Sequence, residues 1–204
     1  MKLSKITVVD YRTSNLLSIT KALENVGAEV KLTQNAADIA AAERLVLPGV
    51  GAFGAAMRNI ESLGIREALV AFGKSGRPLI GICLGMQLLF GVSYELGTNK
   101  GLALIDGKVV EFPDKPPLKV PHMGWNQIQF KRNSRLFCGV HDKEYAYFVH
   151  SYYVTTSDNY VSGATEYGVT FPSIVEDGNI FGIQFHPEKS QSFGLKILEN
   201  FLRV

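Results

Sequence analysis

Cys83 lies in Gly81-Ile82-Cys83-Leu84-Gly85, with a glycine two residues away on each side. That spacing is a nucleophile elbow, G-x-C-x-G, with cysteine in the place of serine. An elbow is a sharp, strained turn from strand into helix, and bulky neighbours would collide there. The turn exposes the sulfur and sets it over a helix N-terminus, whose dipole favours thiolate over thiol. Gln87, four residues on, points to the same side and can touch whatever Cys83 attacks. Taken alone, the segment also reads as a buried core cysteine, because free cysteine is among the most buried residue types.

A second group of chemical residues is His186-Pro187-Glu188. Proline holds the residue before it extended, and in extended chain positions i and i+2 face the same way. The Glu188 carboxylate can then reach the His186 imidazole, fix its tautomer and stabilise its cation. A carboxylate-oriented histidine beside a thiol is the recurring arrangement of a cysteine nucleophile. By itself His-Pro-Glu also reads as a surface turn with a solvated glutamate. A third group is Pro48-Gly49-Val50-Gly51-Ala52-Phe53. Its glycines let the backbone turn N–H groups outward. No lysine and no G-x-x-x-x-G-K-[ST] pattern follows, which argues against a phosphate loop. Backbone donors without charge suit an oxyanion hole, the alternative being a plain strand-to-helix turn.

The elements that must position these groups follow from periodicity. Residues 6–9 and 79–82 read as short buried strands, and 29–32 and 44–47 as further strands. Leu16, Ile19, Leu23 and Val26 mark a helix, capped by Ser14 or Asn15 and stopped at Gly27. Residues 35–42 predict a short helix, 55–62 and 65–74 two helices broken near Gly64, and 84–90 a helix after the cysteine. Strands alternating with helices imply right-handed crossovers and a parallel sheet, with ligands beyond the carboxyl ends of the strands. Beyond Phe90 the pattern becomes alternating. Residues 108–112, 125–130, 145–149, 160–166, 171–176 and 180–185 predict strands, with Asp177-Gly178 as a hairpin turn. Residues 192–202 close the chain with a helix presenting Leu195, Leu198 and Leu202 to the core. The fold class is α/β: a doubly wound, mainly parallel sheet with flanking helices and a smaller antiparallel sheet in the second half. Residues 1–204 form one domain.

Composition narrows the function. A net charge of +2 gives no case for nucleic acid. No apolar run reaches membrane-spanning length, and the first ten residues hold no signal-peptide core. Two cysteines without a disulfide framework suit a reducing, cytoplasmic setting. Histidines and cysteines are scattered singly, so no metal is expected. Cys138 reads as core, while His122 and His141 have no assigned chemistry.

Residues 81–87, Gly-Ile-Cys-Leu-Gly-Met-Gln, with Gln-Phe-His-Pro-Glu at 184–188, resemble the class I, triad-type glutamine amidotransferases over essentially the whole chain. Among these the chain is most similar to the glutaminase subunits of imidazole glycerol phosphate synthases. Asp10-Tyr11 with Asn15-Leu16, the 47–53 loop, Pro121-His122-Met123-Gly124-Trp125-Asn126, and Phe148-Val149-His150-Ser151-Tyr152-Tyr153 carry that likeness. One departure is Ser14, where the family usually has glycine, in a segment associated with partner docking.

The resemblance implies that Cys83 attacks the side-chain amide of L-glutamine, that His186 takes the thiol proton and returns it to departing ammonia, and that Glu188 orients His186. It assigns the oxyanion hole to the N–H groups of Leu84 and Val50, flanked by Gly49 and Gly51. Gln87, Glu95, His150, Ser151 and Tyr152 would hold glutamine, with Glu95 on its ammonium and Ser151 and Tyr152 on its carboxylate. A solvated Glu95 and a core His150 are the plainer alternatives. No cofactor is implied. The implied partner is a (β/α)₈ barrel cyclase forming a heterodimer. It uses the ammonia to make imidazole glycerol phosphate and an aminoimidazole carboxamide ribotide in histidine biosynthesis. Asn15, Met123, Trp125 and Asn126 are the interface candidates, core packing being an equal reading of Trp125. A sugar-amidating or pyridoxal phosphate synthase partner, a non-catalytic scaffold and a stand-alone cysteine hydrolase are the rival readings.

Overall fold

The computed structural model describes residues 4–12, 16–114 and 118–204. The first half alternates as expected: β1 (Ser4–Val9), α1 (Leu16–Asn25), β2 (Ala28–Thr33), α2 (Ala36–Ala41), β3 (Leu45–Gly49), α3 (Phe53–Ser62), α4 (Arg66–Lys74), β4 (Leu79–Cys83) and α5 (Leu84–Leu88). The second half is strand-rich: β5 (Phe90–Ser93), β6 (Asn99–Lys100), β7 (Ile105–Glu111), β8 (His122–Gln127), β9 (Gln129–Phe130), β10 (Tyr145–His150), β11 (Tyr152–Thr155), β12 (Val161–Tyr167), β13 (Val169–Asp177), β14 (Ile180–Ile183) and α6 (Gln191–Leu202). The expected Ser14 or Asn15 cap lies outside the described residues.

The main sheet runs β2-β1-β3-β4-β14-β13-β12-β9. Pairing is parallel from β2 to β14 and antiparallel beyond it. Strand alternation feeds two cores, one on each face. On β3, Leu45 and Leu47 pack on the α2–α5 side while Val46 packs on the α1 and α6 side. Each such side chain, fully buried, contributes about 1.5–3 kcal/mol. Glycine lets α5 lie directly on this sheet. A Cβ on Gly85 would stand 1.7 Å from the Leu47 carbonyl oxygen, and one on Gly81 2.5 Å from the Gly85 carbonyl oxygen.

The last strand matters most for the site. β14 enters beside β4 with Gly182 opposite Gly81 and Ile183 opposite Ile82. Residues a hundred positions apart in the chain therefore leave the sheet at the same end.

Several elements depart from the expectations. α5 ends at Leu88, and Phe90 opens a strand rather than closing the helix. Leu84, Met86, Leu88, Leu89 and Phe90 are all buried, so no polar face marks where the helix stops. α3 begins at Phe53, two residues early, because a distant carboxylate caps it. The antiparallel strands do not form one separate sheet. Three of them extend the main sheet, β8 pairs with β10, and β5, β6, β7 and β11 form a four-stranded sheet in which β5 and β7 are parallel. The expected 125–130 strand is split at the buried Ile128, whose N–H turns to the Glu144 carbonyl. Cys138 is exposed, not core, because Leu136 and Phe137 take the inward positions beside it. Leu198 and Leu202 are buried as expected, whereas Leu195 is half-buried. No helix among the described residues is long and apolar enough to cross a membrane.

Candidate active site

Cys83 is the last residue of β4 and the residue before α5, with φ 55° and ψ −111°. A non-glycine side chain in this region is strained and persists only where its surroundings enforce it. Here they do: β4 is buried along its length, and α5 is pinned to the sheet through Gly81 and Gly85. Leu84 is the first helical residue, so its N–H has no acceptor within the helix.

Gly49, the end of β3, is paired with Cys83. A Cβ there would fall 1.9 Å from the Tyr11 hydroxyl, 3.1 Å from the Leu84 Cβ and 3.2 Å from the Gly85 nitrogen. The glycine loop thus closes against the first turn of α5. Val50 and Gly51 are exposed, and Gly51 has φ 99°, accessible to glycine at little cost. The far end of the loop is tied down by Glu95, whose Oε2 accepts the Phe53 N–H at 2.5 Å.

His186 follows β14. Its N–H donates to the Tyr147 carbonyl at 2.9 Å, and its carbonyl accepts from the Ser190 hydroxyl at 2.6 Å. The same hydroxyl accepts the Tyr147 N–H at 3.0 Å. The backbone of His186 is therefore clamped between β10 and the turn before α6. Its Nδ1 donates to Glu188 Oε1 at 2.9 Å, both side chains being nearly buried. The contact forms by a different route from the extended chain expected. His186 is extended, but Pro187–Lys189 is a 3₁₀ turn, and that turn swings the carboxylate back to the ring. Proline at the first position of the turn suits its fixed φ.

Burial alone would lower the His186 pKa. Cys83 and then Glu188 outweigh it and push the imidazole up to about 10. The Cys83 sulfur thus interacts with the ring, although Nε2 closes no well-aligned hydrogen bond among the described residues. Such contacts are often loose before substrate binds and tighten with it.

A residue that sequence reasoning passed over stands against the sulfur. Gln184, fully buried, places its Nε2 3.8 Å from Cys83 Sγ. Its Oε1 accepts from Gln87 Nε2 at 3.0 Å, and Gln87 Nε2 also donates to the Tyr152 carbonyl at 3.0 Å. β14 stops at Ile183, short of the expected 180–185, and Gln184 lies in the bend that follows, two residues before His186; that nearness in sequence was the signal that could have found it.

The other expected binding residues divide. Glu95 is half-buried, with one carboxylate oxygen on the α3 cap. Ser151 is half-buried, its carbonyl accepting the Phe112 N–H at 3.0 Å. Burial, and then the nearby carboxylates of Glu111 and Glu95, raise the pKa of the Tyr152 hydroxyl. His150 has both ring nitrogens engaged within the protein: Nδ1 bonds the Tyr152 carbonyl at 2.8 Å and Nε2 meets His122 Nδ1 at 3.0 Å. Burial lowers the pKa of His150 to about 3 and that of His122 to about 4.

Among the interface candidates, Met123 and Trp125 are exposed on β8, Trp125 by 45%, which removes the core reading of the tryptophan. Asn126 is half-buried and directs its amide to the Glu166 carbonyl at 2.9 Å and to His122 Nε2 at 3.2 Å. Asn15 lies outside the described residues.

A cysteine on a strand-to-helix elbow, a carboxylate-bound imidazole interacting with it and a glycine loop alongside describe a cysteine-dependent amide-cleaving site on a doubly wound sheet. The chain belongs to the class-I glutamine amidotransferase family, whose model matches residues 7–204. It is 47% identical over 197 residues to the imidazole glycerol phosphate synthase subunit HisH of Desulfitobacterium hafniense (strain DSM 10664 / DCB-2), covering 96% of this chain and 92% of that one. It is 46% identical over 202 residues to the imidazole glycerol phosphate synthase subunit HisH 1 of Campylobacter jejuni (strain RM1221), covering 98% and 100%. The structure of PurLQS from Thermotoga maritima shares the fold at 20% identity, with a TM-score of 0.77 over 100% of this chain and 99% of that chain.

Proposed function

We propose that residues 1–204 form one glutamine amidotransferase domain, the glutaminase subunit of an imidazole glycerol phosphate synthase. The observation that carries this reading is the Cys83–His186–Glu188 arrangement at the carboxyl ends of β4 and β14, in a chain 47% identical to a HisH subunit.

In this reading the proton shared by Cys83 and His186 resides on the imidazole, consistent with the raised His186 pKa. The thiolate attacks the carboxamide carbon of L-glutamine. The tetrahedral oxyanion is received by the N–H groups of Leu84 and Val50, donors that cost no reorganisation during reaction. His186 gives its proton to the leaving nitrogen and ammonia departs, leaving a glutamyl thioester on Cys83. Neutral His186 then takes a proton from water, which attacks the thioester and releases glutamate. Glu188 holds the tautomer and balances the cation throughout. Glu95 and the 151–152 backbone receive the ends of glutamine, with Gln87 behind them. No cofactor or metal takes part.

Ammonia set free in water near neutrality protonates and ceases to be a nucleophile, so it must pass to a second site. Here that site belongs to a (β/α)₈ barrel cyclase docked against Met123 and Trp125 in a cytoplasmic heterodimer. The cyclase forms imidazole glycerol phosphate and the aminoimidazole carboxamide ribotide in histidine biosynthesis.

The test is glutamine hydrolysis measured with and without the cyclase and its nucleotide substrate. The expected result is weak basal turnover that rises steeply on adding both. Turnover unchanged by the cyclase, or stimulated by a different synthase, overturns the assignment of partner.

A further inference from the structure

We propose that Gln184 is a further catalytic residue: its side-chain amide donates to Cys83 Sγ, and the Tyr152 carbonyl, acting through Gln87, fixes the sense of that donation. The proposal rests on the glutaminase reading for its consequence in turnover, but its structural content can be tested apart from it.

The sense of the chain is set at both ends. Asn126 cannot flip, because its Nδ2 donates to the Glu166 carbonyl at 2.9 Å and its Oδ1 accepts the Gln127 N–H at 2.8 Å. It therefore offers His122 Nε2 a donor, at 3.2 Å. Burial keeps both histidines neutral, so His122 carries its proton on Nδ1 and gives it to His150 Nε2 at 3.0 Å. His150 then carries its proton on Nδ1 and gives it to the Tyr152 carbonyl at 2.8 Å. That oxygen can only accept, so Gln87 must turn Nε2 toward it. The second N–H of Gln87 meets Gln184 Oε1, and Gln184 is left presenting Nε2 to the sulfur. Reversing Gln184 would set N–H against N–H at Gln87 and oxygen against the sulfur, among three buried side chains.

A buried sulfur that carries charge during attack needs donors, and hydrogen bonds to charged groups are the strong ones. Gln184 supplies a fixed donor on the sulfur in addition to His186. His122 and His150 are positioning residues, acting only through the Tyr152 carbonyl.

The readout is alkylation of Cys83 by iodoacetamide, followed by peptide-resolved mass spectrometry so that the exposed Cys138 does not interfere. The rate at about pH 6.5 divided by the rate at about pH 9.5 reports thiolate formation with access cancelled. Gln184→Met keeps the volume and removes the donor. It is expected to lower this ratio about tenfold and to lower kcat with little change in KM. A ratio unchanged from wild type overturns the proposal.

Gln87→Met keeps the test decisive if Gln184→Met does not fold. It leaves Gln184 in place and removes the N–H that holds its Oε1, so the amide is free to reverse. The ratio is expected to fall in Gln87→Met as well, and a wild-type ratio in the folded variant contradicts the proposal. A fall in the ratio with no glutamine turnover in wild type would leave the donor intact and refute the glutaminase reading instead.

Discussion

Glu95 accepts the Phe53 N–H across 42 residues of sequence, tying the segment after β5 to the first turn of α3 and so to the glycine loop beside Cys83. An anionic cap suits the N-terminus of a ten-residue helix. Glu95→Ala is expected to cost about 1 kcal/mol, a fall in Tm of about 2–4 °C by calorimetry. Because the same carboxylate is proposed to meet the glutamine ammonium, KM for glutamine should rise in Glu95→Ala and in Glu95→Gln. A raised KM without any loss of Tm would separate the two roles and remove the cap from the account.

Two glycines beside the elbow are required for different reasons, and alanine should distinguish them. In Gly85→Ala the new Cβ would lie 1.7 Å from the Leu47 carbonyl oxygen, backbone against backbone. A cost of about 3 kcal/mol or more is expected, with loss of glutamine turnover. Gly51→Ala meets nothing within 4 Å, but its φ of 99° is strained for an L residue. That costs about 1–2 kcal/mol. Urea denaturation of the two variants should rank them in that order, and equal midpoints would contradict the steric argument.

His186, raised by Cys83 and then by Glu188, ties part of the protein's stability to alkaline pH. His186 is raised from 6.5 to about 10, so the folded state holds this proton more tightly than the unfolded chain. The resulting stability is fully present below about pH 6.5 and is lost as pH rises through about 10. Glu188→Gln should move that loss to lower pH in a Tm-against-pH series. It should also reduce glutamine turnover about a hundredfold, the lower range for acid–base groups. An alkaline profile identical to wild type would show that the carboxylate does not support the cation.

The buried pair His122 and His150 sets the acid side. Both are depressed by burial, from 6.5 to about 4 and about 3. The fold excludes protons that the unfolded chain binds, so their contribution is full above about pH 6.5 and is lost as pH falls through those values. His122→Phe removes one titrating group. Its Tm should fall less steeply than that of wild type between about pH 6.5 and pH 4. An equal slope would mean that other groups govern acid unfolding.

The parallel half of the sheet was readable because β3 and β4 are apolar runs, strand and helix alternate at short intervals, and the first helix carries a clear apolar face in Leu16, Ile19 and Leu23. The elbow was readable because the steric demand of the turn is local to Gly81, Cys83 and Gly85. What stayed hidden depends on distance in the chain. β5, β6 and β11 are two to four residues long, too short to show a period, and β11 pairs with the distant β7. The cap from Glu95 to Phe53 and the contact between His122 and His150 join residues with no local pattern between them. Gln184 was the exception: it is two residues from His186 in the chain, although it lies in the bend after β14 and not in the strand.

The most direct test of the central claim is acid-quenched mass spectrometry of the complex with the cyclase during turnover of L-glutamine, set beside Cys83→Ala. The account predicts a glutamyl adduct on the peptide carrying Cys83, and no adduct and no glutamate release in a folded Cys83→Ala protein. Glutamate release by folded Cys83→Ala at the wild-type rate, or an adduct on any other residue, would contradict it.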